Sequence, residues 1–138
     1  MSQEKGYKFE KFVEASLTGR VSRLKRNHIV KRKGRQYQFD VTYGSMITKV
    51  IECKYRERSF IDITELGEFH AKLVSLGINP KDGYLVTNSE FSKRAIHFAR
   101  KVKLNLLNGE ELLRFDNARY LPFSSKRKFS LEQRIMRC

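Results

Sequence analysis

The chain has 138 residues, 40% of them hydrophobic, and carries 29 Lys and Arg against 15 Asp and Glu for a formal charge of +14. That length supports one domain with a sizeable core and excludes two ordinary ones, and the apolar share excludes a wholly disordered chain. So large a basic excess favours a polyanion partner, nucleic acid ahead of an anionic membrane surface, because no stretch forms a basic amphipathic helix with a bulky apolar face.

In chain order, residues 6–17 predict a first helix: Phe9, Phe12, Val13 and Leu17 recur at helical spacing, and Gly19 is a stop signal. Glu10 borders that apolar stripe, and Glu14, one turn on, is expected to be more exposed. Residues 20–35 carry eight basic side chains and no acid. A short strand at residues 28–31 and a turn at Lys33-Gly34 are expected there. Residues 37–43 and 47–55 read as two strands joined by a turn at Gly44-Ser45. Residues 61–76 predict a helix through Ile63, Leu66, Phe69, Leu73 and Val74, ended by Gly77. Residues 84–87 form a strand of the buried type. Asn88 or Ser89 caps a helix with Phe91, Ala95, Phe98 and Val102 inward. A strand at residues 104–107 and a short helix at residues 110–113 follow. The opening meander and the later strand–helix–strand units imply one α/β domain, a mixed central sheet flanked by helices. From Asn117 the pattern weakens to a basic segment at residues 124–128 and a short helix at residues 131–136. The expected division is a domain over residues 1–115 and a basic C-terminal extension over residues 116–138.

The chemistry concentrates in the two central strands. Alternation puts Phe39, Val41 and Tyr43 on one face and Asp40 and Thr42 on the other. In the next strand Ile51, Cys53 and Tyr55 share a face opposite Val50, Glu52 and Lys54. If the strands pair, Asp40, Glu52 and Lys54 converge at one end, and two carboxylates beside a lysine suit a hard divalent cation and a scissile phosphate. Asp40 is also the only acid between Glu14 and Glu52, across nine Lys and Arg. The spacing by itself favours a solvated strand face with Asp40 paired to an arginine.

Other chemistries find little support. Cys53 reads as a small buried hydrophobe. His28, His70 and His97 lack zinc-ligand spacing, and no glycine loop is present to cradle a nucleotide phosphate. No run approaches the roughly 20 apolar residues that span a bilayer, and no hydrophobic segment follows residues 1–5 to make a signal peptide. Cys53 and Cys138 form no disulfide framework. A cytoplasmic, nucleoid-associated protein is expected.

The order of Gly6-Tyr7-Lys8-Phe9-Glu10, then Asp40, then Glu52-Cys53-Lys54 resembles the PD-(D/E)xK nuclease superfamily. The run Gly83-Tyr84-Leu85-Val86-Thr87-Asn88-Ser89-Glu90-Phe91-Ser92, then Ala95 and Ala99, residues 104–107 and Gly109-Glu110-Glu111-Leu112, is similar to the Mrr-type restriction endonuclease domain. The likeness covers residues 6–113. It departs at Phe39, where the superfamily places proline before the aspartate, and at Glu52, where many Mrr-type domains carry glutamine. Glu52 and the small size also resemble archaeal Holliday-junction resolvases.

The resemblance implies a restriction-endonuclease-like three-layer fold and a Mg²⁺-dependent DNA endonuclease, with Mn²⁺ able to substitute. It implies that Asp40, Glu52 and the Cys53 backbone carbonyl hold the ion, that Lys54 orients the attacking water, and that Glu10 stands at the pocket edge as a further catalytic group and candidate ligand. A junction resolvase with the same active site is the alternative enzyme, and a basic DNA-binding protein the non-enzymatic one. Arg23, Lys25, Arg26, Lys31, Arg32 and Lys33, with Lys126, Arg127 and Lys128 in the tail, are the expected phosphate contacts, giving salt-sensitive affinity with little sequence preference. The partner is double-stranded or branched DNA, and a homodimer is expected because double-strand cutting needs two sites.

Overall fold

Five strands make one sheet in the order β1-β2-β3-β4-β5, and the computed structural model describes residues 2–118 and 130–138. The elements are α1 (Ser2–Leu17), β1 (Lys25–Arg32), β2 (Arg35–Tyr43), β3 (Lys49–Lys54), α2 (Ile63–Leu76), β4 (Gly83–Thr87), α3 (Lys93–Val102), β5 (Asn105–Leu107), α4 (Gly109–Ala118) and α5 (Leu131–Met136). The first three strands form the expected antiparallel meander, and β3, β4 and β5 run parallel through the α2 and α3 crossovers.

Each face of the sheet buries its own apolar cluster. On one side α2 contributes Leu66, Phe69, Leu73 and Leu76, the i, i+3, i+7, i+10 stripe of an amphipathic helix, and α3 adds Ala95 and Ala99. On the other side α1 supplies Phe9, Phe12, Val13 and Leu17, joined by Leu112 of α4 and Ile135 of α5. The ends of α2 are fixed locally. The Asp62 side chain accepts from the Glu65 backbone N–H, and Gly77 takes the left-handed conformation (φ 70°) that closes the last turn. Gly109 starts α4 where a β-carbon would lie 2.2 Å from the Asn88 carbonyl oxygen, so only glycine fits that approach.

The alternation expected along β2 is broken. Phe39 packs in the α2 cluster, with its ring 6.2 Å from that of Phe69, whereas Val41 packs in the α1 cluster. The pairing of β1 with β2 passes from Arg26↔Val41 to His28↔Phe39 and skips the facing residues Asn27 and Asp40. Asn27 there has a left-handed backbone, φ 51°. The hairpin therefore kinks at this pair, and its far half folds across α2. Val30 and Tyr37 pack on the α2 cluster, and the Lys33 side chain lies over Gly77 at the C-terminal end of α2, where a cation complements the helix dipole.

Other boundaries differ more mildly. β1 begins at Lys25 rather than at residue 28, because an edge strand with solvent on most of its side chains carries little apolar signal. Val74 of α2 is 56% exposed rather than inward. α4 runs on to Ala118 because Phe115 packs in the α1 cluster and Asp116 is buried. Residues 130–138 dock on α1. Ile135 is fully buried, and Asp116 accepts from the Ser16 hydroxyl (2.8 Å) and from Arg134 (2.5 Å).

Candidate active site

The kink in β2 shapes the candidate site. The β2–β3 ladder ends at Val41↔Ile51, and beyond it the Asp40 carboxylate takes the place of a strand partner. Its Oδ2 accepts the Cys53 backbone N–H at 2.8 Å. N–H and C=O of one residue leave a strand on the same side, so the Cys53 carbonyl also faces Asp40. β3 keeps its alternation, which puts Cys53 with Ile51 and Tyr55 in the α1 cluster and turns Glu52 and Lys54 to the α2 side. There Glu52 Oε2 lies 3.9 Å from Lys54 Nζ and 3.8 Å from Lys72 Nζ of α2.

Glu10 reaches the same region from α1. Its Oε1 is 3.6 Å from Arg26 Nη2, and Glu14 Oε1 is 3.8 Å from Arg26 Nε. Arg26 also stacks over the Tyr7 ring, with its guanidinium carbon 4.9 Å from the ring centroid. The guanidinium is drawn inward: its Nε and Nη2 are buried and make no hydrogen bond of good geometry.

The electrostatics bind these acids into one unit. Burial and then the Asp40 charge push the Glu52 carboxyl up to about 7, against the opposing charges of Lys72 and Lys54. Asp40 is raised by burial, against the Cys53 N–H bond and the charges of Lys54, Lys72 and Arg26. Glu10 is raised by burial and then by Asp40, against Arg26. The Cys53 thiol is pushed up by burial and by the three carboxylates.

Among the described residues no three His, Cys, Asp or Glu side chains are gathered closely enough to hold a metal ion on their own. The donor set of Asp40, Glu52 and the Cys53 carbonyl still suits Mg²⁺, a hard ion that is bound by one or two carboxylates and keeps several waters. Carboxylates raised by burial, Glu52 and Glu10 also by the Asp40 charge, are a site that a divalent cation relieves.

Burial of Glu52, with the repulsion from Asp40, has a measurable cost. A carboxyl raised in the folded state stabilises the protein below its ordinary range near pH 4.5 and loses that contribution as pH rises through about 7. In EDTA at pH 8, Glu52→Gln is expected to gain on the order of 1–3 kcal/mol in urea unfolding, with a smaller gain at pH 5. No gain at pH 8 would show that Glu52 carries no strain.

The expected phosphate contacts divide. Arg23, Lys25, Lys31, Arg32 and Lys33 are exposed, and Arg26 is turned toward Glu10 and Glu14. Lys126, Arg127 and Lys128 lie outside the described residues. Lys72 was not foreseen from the sequence: a lysine three residues after Phe69 on an amphipathic helix looks like any solvated lysine until α2 is laid against β3.

A mixed sheet with helices on both faces and an aspartate facing a Glu-x-Lys strand defines the restriction-endonuclease-like fold. Residues 1–115 match the family of Mrr catalytic domains described as restriction endonuclease, and the chain belongs to that family. The crystal structure of a protein of unknown function, AF1548, has a similar fold: TM-score 0.66 over 86% of this chain and 73% of that one, at 19% sequence identity. No curated protein matches the chain. The family places the protein among nucleases of the restriction endonuclease type. No helix in the described residues is long and apolar enough to cross a membrane.

Proposed function

We propose that the protein is a divalent-metal-dependent endodeoxyribonuclease that hydrolyses phosphodiester bonds with Mg²⁺, Mn²⁺ substituting. The observation that carries this reading is the Asp40 carboxylate fixed by the Cys53 N–H at the end of the β2–β3 ladder, with Glu52 and Lys54 on the adjoining strand. Asp40, Glu52 and the Cys53 carbonyl would hold the ion, with Glu10 at the edge. Bound there, a divalent cation supplies Lewis acidity to a phosphate and lowers the pKa of a coordinated water.

The remaining work falls to side chains. Lys54 orients the attacking water and stabilises negative charge building on the phosphoryl oxygens. Glu10, restrained by Arg26, stands on the opposite face of the sheet from Glu52, so the two acids approach Asp40 from different layers. The exposed cations of the β1–β2 hairpin contact the DNA backbone and set orientation without reading sequence. Cutting both strands of a duplex calls for two such sites, hence a homodimer.

A cleavage panel tests the reading: linear, methylated, single-stranded and four-way-junction DNA, each with Mg²⁺, Mn²⁺ or EDTA. Cleavage is expected with either ion and not in EDTA. Glu52→Ala and Lys54→Ala are each expected to slow it by about 10²-fold or more. Wild-type rates in both variants would sink the assignment. Four-way junctions cut in clear preference to linear duplex would place the protein with junction-resolving enzymes. DNA binding without cleavage of any substrate would leave a DNA-binding protein.

A further inference from the structure

The kinked hairpin does more than place Asp40. Between its folded-over half and α2 runs a groove of about 660 Å³, with Glu52 and Lys54 in its wall and Arg35, Tyr37 and Lys72 among the other lining residues. That volume is in the range of clefts that enclose small ligands, a size that suits a single nucleotide. Three cations and three acids line the groove, and Lys72 Nζ lies 3.8 Å from Glu52. Beyond Lys54 it offers two more cations, Lys72 and Arg35, and an aromatic ring, Tyr37, with Lys72 Nζ 5.9 Å from the ring centroid. Cations that follow a phosphate backbone, together with a ring on which a base can stack, are how proteins hold single-stranded nucleic acid. Of the other acids in the wall, Glu65 is ion-paired with Arg56. Glu68, one turn before Lys72 on α2, is exposed, as is Arg35 on the hairpin wall.

We propose that this groove is a subsite for an unpaired nucleotide adjoining the cleaved phosphodiester, its base against Tyr37 and its phosphate on Lys72 and Arg35. The proposal rests on the nuclease reading and deepens it. The preferred substrate is DNA that is unpaired beside the cleavage point, at a flap, a splayed end or a branch. An intact duplex has to open there first.

Binding in EDTA tests the subsite apart from cleavage. The full chain is titrated by fluorescence anisotropy against a blunt duplex and against the same duplex bearing a short single-stranded tail. The tail carries 2-aminopurine at its first unpaired position. The tailed DNA is expected to bind about tenfold more tightly, with quenching of the 2-aminopurine. Lys72→Ala and Tyr37→Leu are expected to bring the ratio of tailed to blunt affinity toward one. The Lys72 side chain is 34% exposed, so that variant tests the proposal even if Tyr37→Leu fails to fold. A ratio of one in the wild type, or a ratio unchanged by Lys72→Ala, overturns the subsite. A retained tail preference in a protein that cleaves no DNA supports the subsite and overturns the nuclease reading.

Discussion

Replacing Asp40 by asparagine is expected to lower metal-dependent DNA cleavage by about 10³-fold or more, the several kcal/mol of transition-state stabilisation that a bound ion supplies. The fold should survive the change. An asparagine Oδ1 can accept the Cys53 N–H as the carboxylate does. The variant also removes one of the charges that raise Glu52 and Glu10, so the metal-free protein should be no less stable. Affinity for DNA in EDTA should hold or rise, since a negative charge leaves the surface that meets phosphate. Three measurements check this together: single-turnover cleavage, calorimetric titration with Mn²⁺, and urea unfolding. Cleavage within a few-fold of wild type would remove Asp40 from the mechanism. Loss of cleavage with unfolding would assign it to the fold instead.

The second large effect is on stability. Asp116→Ala is expected to cost about 3–5 kcal/mol, because the carboxylate is fully buried and its removal leaves a charged partner behind. Asp116 joins three elements: Ser16 of α1 donates to it, Arg134 of α5 donates to it, and it lies on α4 itself. Arg134 is nearly as enclosed, with 10% of its side chain exposed, and would lose the Asp116 carboxylate. Asp116→Asn keeps an acceptor for Ser16 and Arg134 and should lose less. Urea unfolding of the two variants beside the wild type measures the difference. A loss below about 1 kcal/mol for the alanine variant would mean that residues 130–138 add little to the folded domain.

What could be read from the sequence follows from how local the signals are. The Glu-x-Lys strand was legible because β3 keeps strict alternation, so Glu52 and Lys54 fall on the face opposite Ile51 and Cys53. The helices α1 and α2 were legible through their apolar stripes, and the caps at Asp62 and Gly77 have local causes. The kink in β2 was not legible. Phe39, Val41 and Tyr43 alternate in sequence, and only the seat of the distal hairpin on α2 turns Phe39 to the other layer. Arg26 and Lys72 were equally hidden as partners of site acids, since each meets its carboxylate on a different element. The short helix at Leu131–Met136 was expected, but its docking was not: one fully buried side chain, Ile135, gives no periodic signal.

The change of face at Asp40 makes this residue a crossing point between the two hydrophobic layers. Its preceding neighbour, Phe39, is anchored under α2, and its following neighbour, Val41, under α1. A regular strand would have both anchors in one layer, and the carboxylate would then track that layer alone. Here the Asp40 carboxylate hangs like the pivot of a balance between two separately packed weights. Loosening either side tilts the same oxygen atoms, so on the proposed mechanism turnover would register the state of both cores at once.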